Sequence, residues 1–142
     1  TRSECDLIGL GVSAISKVGD SYSQGVRTVS AYYQHLDAGR LPIEKGFELT
    51  QDDVLRRDII MTLMCSAPVE FDAINREYGI DFNAYFEAEL LRLKPYEEAG
   101  LITIDATAIR VTPKGRLFVR ASGLVFDRYL GQPTTSTYSK LI

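Results

Sequence analysis

Apolar residues are densest between Leu49 and Cys65, in the run LTQDDVLRRDIIMTLMC. Thr50 followed three residues later by Asp53 approximates a capping box, and the acidic pair Asp52–Asp53 suits the positive end of a helix dipole. Neither Gly nor Pro interrupts the chain until Pro68, so the pattern predicts a helix. At about 100° per residue, Val54, Leu55, Ile59, Ile60, Met61, Leu63 and Met64 cover nearly its whole circumference. That is the pattern of a central helix buried on most sides. Arg56, Arg57 and Asp58 interrupt it in the middle, and a charge in such a place must reach a partner or water.

The flanking segments carry weaker periodicities. Residues 6–16, DLIGLGVSAIS, mix apolar residues with Gly9, Gly11, Ser13, Ala14 and Ser16, which suggests a buried strand end or a loop that lets another group come close. Residues 19–25 read as a loop from their turn residues, and 26–36 as a helix with Val26, Val29, Tyr33 and Leu36 on one face. Residues 39–48 read as a connector, and the domain boundary is expected there. Beyond Pro68, Phe71, Ile74 and Tyr78 define a helix closed by Gly79. A further helix capped by Asp81 or Asn83 carries Tyr85, Phe86, Leu90, Leu93 and Tyr96, and Pro95 is expected to kink or restart it. LITI (101–104) and AIRV (108–111) predict a β-hairpin. A last helix is expected through about Leu130, with Leu117, Phe118, Ala121, Leu124, Val125 and Phe126 inward. The tail from residue 131 reads as a polar loop.

Composition narrows the function classes. The 142 residues carry a net charge of -3, without the basic footprint that nucleic acid or an anionic membrane demands. No stretch approaches the roughly 18 apolar residues of a membrane span, so a cytoplasmic chain is expected. The two cysteines, Cys5 and Cys65, match no metal-ligand spacing. The start at Thr1, with an apolar run soon after, reads as a piece of something longer.

From residue 50 the predicted order is helix, helix, helix, hairpin, helix, which is winged-helix-like. The helix in the recognition position holds Glu87, Glu89, Glu97 and Glu98 against Arg92 and Lys94, and the hairpin turn has only Arg110 nearby. Such a face repels a duplex, so nucleic acid is not the expected partner. His35, the single histidine, lacks a nucleophile or carboxylate arrangement around it and reads as a packing or surface residue. No catalytic residue and no metal ligand is assigned.

Several motifs together carry a family resemblance: DLIGLGVSAIS (6–16), Tyr32-Tyr33, LTQDDVLRRDIIMTLMC (49–65), VTPKGRLFVR (111–120) and FDRYL (126–130). In order and spacing the chain resembles the C-terminal portion of oxygen-independent coproporphyrinogen III oxidase, a radical S-adenosylmethionine family. The resemblance implies a mainly α protein with a small β-hairpin (α+β). Residues 1–24 would be the last edge of the radical S-adenosylmethionine barrel, 25–48 a connecting helix and linker, and 49–142 a helical, winged-helix-like domain covering the active site. The full-length enzyme would be monomeric and would decarboxylate two propionates of coproporphyrinogen III, giving protoporphyrinogen IX, with S-adenosylmethionine and a [4Fe–4S] cluster. The Cys-x-x-x-Cys-x-x-Cys cluster motif is absent here, so this chain is expected to bind neither group alone and to depend on the barrel as its partner.

Ile15, in the family's GVSAIS motif, is implied as a contact to an S-adenosylmethionine. Arg56 and Arg57 are candidate holders of substrate propionates by bidentate pairing. The alternative for both is internal pairing with Asp58, Asp53 or glutamates. A haem-chaperone paralogue with a related C-terminal domain is the second family-level reading.

Overall fold

The computed structural model describes residues 5–130; the predicted polar tail lies outside them. Its architecture is α+β, and the chain divides between Leu55 and Arg56 into two compact units. The division falls inside a continuous helix, downstream of the 39–48 connector where a boundary was expected.

The first unit is built on a three-stranded antiparallel sheet of order β1 (Ile15–Val18), β2 (Ser21–Gly25), β3 (Ile43–Glu48), with α1 (Val29–Asp37) between β2 and β3. Residues 19–25 and 39–48 are therefore strand-bearing, where the sequence suggested loop and connector. The turn residues mark only a hairpin tip. Val18 pairs with Ser21 across the two residues Gly19–Asp20, and Gly19 adopts the left-handed φ of 53° that such a tip favours. β3 leaves no strand pattern in the sequence because every one of its residues is exposed and three are charged, so no alternation toward a core is visible. Leu7 continues the sheet beyond β1 by exchanging backbone hydrogen bonds with Lys17. Thr28 caps α1 by accepting from the Ala31 amide.

The central helix α2 (Gln51–Met64) starts on the predicted box: the Thr50 amide and hydroxyl donate to Asp53 Oδ2 at 2.9 and 2.7 Å, and the Asp53 amide donates back to Thr50 Oγ1. Its burial is narrower than the composition suggested. Leu55, Ile59 and Leu63, four residues apart, form the buried stripe, whereas Met61 and Met64 are exposed.

In the second unit α2 is followed by β4 (Val69–Glu70), α3 (Phe71–Tyr78), α4 (Phe82–Tyr85), α5 (Glu87–Glu98), β5 (Ile102–Ile104) and β6 (Ala108–Val111). The two-residue β4 adds to the predicted hairpin, giving an antiparallel sheet of order β4-β6-β5. Gly79 ends α3 in the left-handed conformation at φ 66°, and Asp81 caps α4. Pro95 lies within α5 without breaking it. The core is an aromatic chain. Phe71 stacks on Phe82 at 4.4 Å, Phe82 meets Phe86 at 4.9 Å, and Phe86 meets Phe126 edge-on at 5.4 Å.

The expected last helix is three short pieces: a 3-10 turn (Gly115–Phe118), α6 (Val119–Gly123) and a second 3-10 turn (Leu124–Phe126). Its inward face also differs. Gly115, Ser122, Gly123, Val125 and Phe126 are buried, while Leu117 is 87% exposed and Phe118 and Leu124 are exposed. At Gly115 close backbone approach is the reason. A Cβ on Gly115 would lie 1.7 Å from the Leu101 carbonyl oxygen, so a small residue, not a large apolar one, faces the hairpin.

Candidate functional site

Three places carry the chemistry that the sequence nominated. The first is the glycine-rich loop before β1. A Cβ on Gly9 would sit 2.5 Å from the Ile15 carbonyl oxygen, so glycine is what allows the loop to fold back on the strand. Gly11 and Ser13 follow with φ of 99° and 61°, and the Ala14 amide closes the turn onto the Gly11 carbonyl. Ser16 and Val18 help line an apolar cavity of about 420 Å³, with Ile8, Leu10, Tyr32 and Leu36. Strand alternation turns Ile15 to the opposite side, where its side chain is exposed. Ile15 thus offers an apolar contact outside that cavity.

The second place is a buried charge network in the second unit. Arg56 Nη1 donates to Glu89 Oε1 at 2.9 Å and to the Phe126 carbonyl at 3.2 Å. Its guanidinium lies 5.2 Å from the centre of the Phe86 ring. Arg92 Nη2 approaches the same Glu89 oxygen at 3.4 Å and donates to the Val125 carbonyl. Glu89 is only 8% exposed. A buried ion pair is not stabilising by default, because desolvation opposes it, but here the bonds to two backbone carbonyls engage further donors of both arginines.

The third place joins α2 to α3. Tyr78 donates its hydroxyl to Asp58 Oδ2 at 2.5 Å, while Arg57 Nε donates to Asp58 Oδ1 at 3.2 Å. Burial, then the Asp58 carboxylate, pushes the Tyr78 phenol well above its usual 10.0. Arg56 and Arg57 are therefore each engaged with a carboxylate of the second unit.

Glu89 is buried, apart from the other acids of α5, and its position in the sequence carries a signal of this. It follows Phe82 and Phe86 and precedes Leu93 at spacings of four, three and four, on the apolar face of the helical run. His35, by contrast, is a surface residue whose Nδ1 lies 3.0 Å from the Leu41 carbonyl oxygen. Among the described residues no group of three or more His, Cys, Asp or Glu is placed to hold a metal ion.

Known proteins now give this geometry a family. Residues 49–118 match the family model described as the HemN C-terminal domain. Over 142 residues, all of this chain, it is 42% identical to the oxygen-independent coproporphyrinogen III oxidase of Pseudomonas aeruginosa, covering 31% of that protein. It is 41% identical over 143 residues to the protein of the same name from Thermostichus vulcanus, covering 44% of it. A solved structure, described as coproporphyrinogen III oxidase (HemN) from Escherichia coli, a radical SAM enzyme, matches with a TM-score of 0.86. The identity there is 39%, over 91% of this chain and 30% of that one. Fold and matches define the class first: an α+β HemN-type C-terminal domain. The chain belongs to the family of oxygen-independent coproporphyrinogen III oxidases. It spans less than half the length of the curated relatives it matches.

Proposed function

We propose that this chain works as the C-terminal part of an enzyme that oxidatively decarboxylates two propionates of coproporphyrinogen III to vinyls, yielding protoporphyrinogen IX without oxygen. The observation that carries this reading is the 42% identity maintained across all 142 residues, which takes in the glycine-rich loop as well as the helical domain. The first unit then contributes to the edge of a radical S-adenosylmethionine barrel supplied by other residues of the full-length enzyme. The second unit covers the active site. Its order of elements, with sheet order β4-β6-β5, supports a winged-helix-like description. The acidic residues Glu87, Glu97 and Glu98 on α5 argue for a role other than duplex binding.

When bound, S-adenosylmethionine and a [4Fe–4S] cluster supply the radical that the family's oxidation needs. The donor set here does not fit the cluster. Cys5 and Cys65 are both exposed and lie sixty residues apart in different units, so thiolates elsewhere in the enzyme hold it. For S-adenosylmethionine, Ile15 fits as one apolar wall, on a backbone that Gly9 and Gly11 let bend closely. Arg56 and Arg57 act on the substrate only through the shape of the domain, since each is engaged with Glu89 or Asp58. No helix among the described residues is long and apolar enough to cross a membrane; the enzyme proposed is cytoplasmic and monomeric.

The test is anaerobic purification of the full-length protein, reconstitution with iron and sulfide, and mass spectrometry after addition of S-adenosylmethionine and coproporphyrinogen III. Loss of two carboxyl groups as carbon dioxide supports the reading. Tight haem binding without product would move the chain to the haem-chaperone branch.

A further inference from the structure

The exposed surface of the second unit is unusual in one stretch. Between Leu101 and Leu130 there are five cations (Arg110, Lys114, Arg116, Arg120, Arg128) and two acids (Asp105, Asp127), in a chain whose net charge is -3. Both acids are already engaged. Asp105 accepts from Thr107 and Arg110, and Asp127 accepts from the Tyr129 amide. Lys114 Nζ donates to the Ala99 carbonyl. Arg116 and Arg120 are exposed, and neither guanidinium has a hydrogen bond or ion pair among the described residues. They stand four residues apart, Arg116 in the first 3-10 turn and Arg120 in α6, and the same stretch exposes Leu117 (87%), Phe118 (53%) and Leu124. Two uncommitted guanidiniums beside exposed apolar side chains match a ligand that is itself apolar and carboxylated.

We propose that Arg116 and Arg120 bind propionate carboxylates of the cyclic tetrapyrrole substrate, while Leu117 and Phe118 contact its apolar ring. This rests on the reading of the chain as part of a coproporphyrinogen III oxidase, and it adds the surface by which the second unit recognises that substrate. The charge complementarity is direct: the substrate presents several carboxylates, and planar guanidiniums grip such groups in bidentate fashion. The aromatic ring of Phe118 adds a flat apolar face of the kind that packs against another ring system. Arg56 and Arg57 are poorer candidates for this task, because each would have to leave a carboxylate that it already contacts.

The experiment uses the full-length reconstituted enzyme, with Arg116→Gln, Arg120→Gln, the double variant, Arg116→Lys and Phe118→Ala. Turnover of coproporphyrinogen III gives kcat and KM, and fluorescence titration with the air-stable coproporphyrin III reads binding directly. Each glutamine variant is expected to raise KM about tenfold, with kcat changed less than about twofold. The lysine variant should recover part of the loss, and the porphyrin titration should weaken in parallel, most in the double variant. Cluster absorbance and melting temperature should stay at wild-type values. An active wild type with unchanged KM in both glutamine variants overturns the proposal. So does a joint fall in kcat, cluster content and melting temperature, which would mark the face as a packing surface for the rest of the enzyme. If the wild type itself neither turns over the substrate nor binds coproporphyrin III, the enzyme assignment falls and takes this surface with it.

Discussion

The carboxylate of Glu89 lies 2.9 Å from the guanidinium of Arg56, 33 residues earlier in the chain, and both side chains are largely withdrawn from solvent. Glu89 also draws in Arg92, and the two arginines reach the carbonyls of Phe126 and Val125. One acid on α5 thus fixes the start of the second unit and its last 3-10 turn.

Removing that acid leaves a buried cation without its counter-charge. Glu89→Ala is expected to destabilise the 142-residue chain by about 3–5 kcal/mol, whereas an apolar pair, Arg56→Met with Glu89→Leu, should come closer to neutral. Urea unfolding followed by circular dichroism measures both. A smaller loss for the single variant than for the pair would contradict the account.

Gly115 is held by space, not by backbone angle. Gly115→Ala should push against the Leu101 carbonyl, displace the hairpin and cost roughly 3 kcal/mol or more. Gly46→Ala is the control, since its Cβ would meet nothing closer than 3.7 Å. Thermal melts of the two variants should separate clearly.

The hairpin turn gives an acid-side prediction. Asp105 accepts from the Thr107 hydroxyl and amide, from the Ala108 amide and from Arg110. The Thr107 bonds lead in holding its carboxyl below the usual 3.8. A depressed pKa means that the turn's stabilisation is complete above the unfolded value and is lost as pH falls through the folded one. Relative to intrinsic exchange, protection of the Thr107 and Ala108 amides should therefore fall only at pH below that of an ordinary aspartate. In Asp105→Asn that protection should be lower at neutral pH and should not change with pH across the acid range.

Tyr78 gives the opposite sign. Its phenol is raised above 10.0 by burial first and by Asp58 next. The contribution is whole below pH 10 and declines as pH climbs toward the folded value. Absorbance at alkaline pH should show a late-ionising tyrosine, and Tyr78→Phe should remove that late step. At neutral pH the same variant should lose roughly 1.5 kcal/mol, the low end for a charged hydrogen bond, because the side chain is only half-buried.

How far the sequence could be read depended on whether a position's environment was local. The Thr50–Asp53 box, the Gly79 cap and the hairpin at 102–111 depend on neighbours within a few residues, and the pattern displayed them. β3 and β4 did not show. One is exposed throughout and the other is two residues long, so neither leaves an alternation to detect. The same limit hid the setting of Glu89, which depends on an arginine 33 residues away and on the Val125 and Phe126 carbonyls that accept from its two arginines. It also misplaced the last helix. Small residues at 115, 122 and 123 pack inward, at Gly115 because its backbone meets that of Leu101, and the large apolar residues Leu117, Phe118 and Leu124 are turned out. Motif resemblance pointed to Ile15, but only the strand's alternation separates it from the cavity that Ser16 and Val18 line.

The bond from Arg56 to the Phe126 carbonyl spans 70 residues, and that span is also an interval of time. A ribosome adding about 5–20 residues per second needs roughly 4–14 seconds to travel it. Through that interval α2 has been made while the carbonyl its arginine will hold does not yet exist, and Ile59 and Leu63 await a core completed by Phe126. The nascent second unit therefore passes through a window of vulnerability whose length its own clasp sets, and it closes only when the last turn emerges.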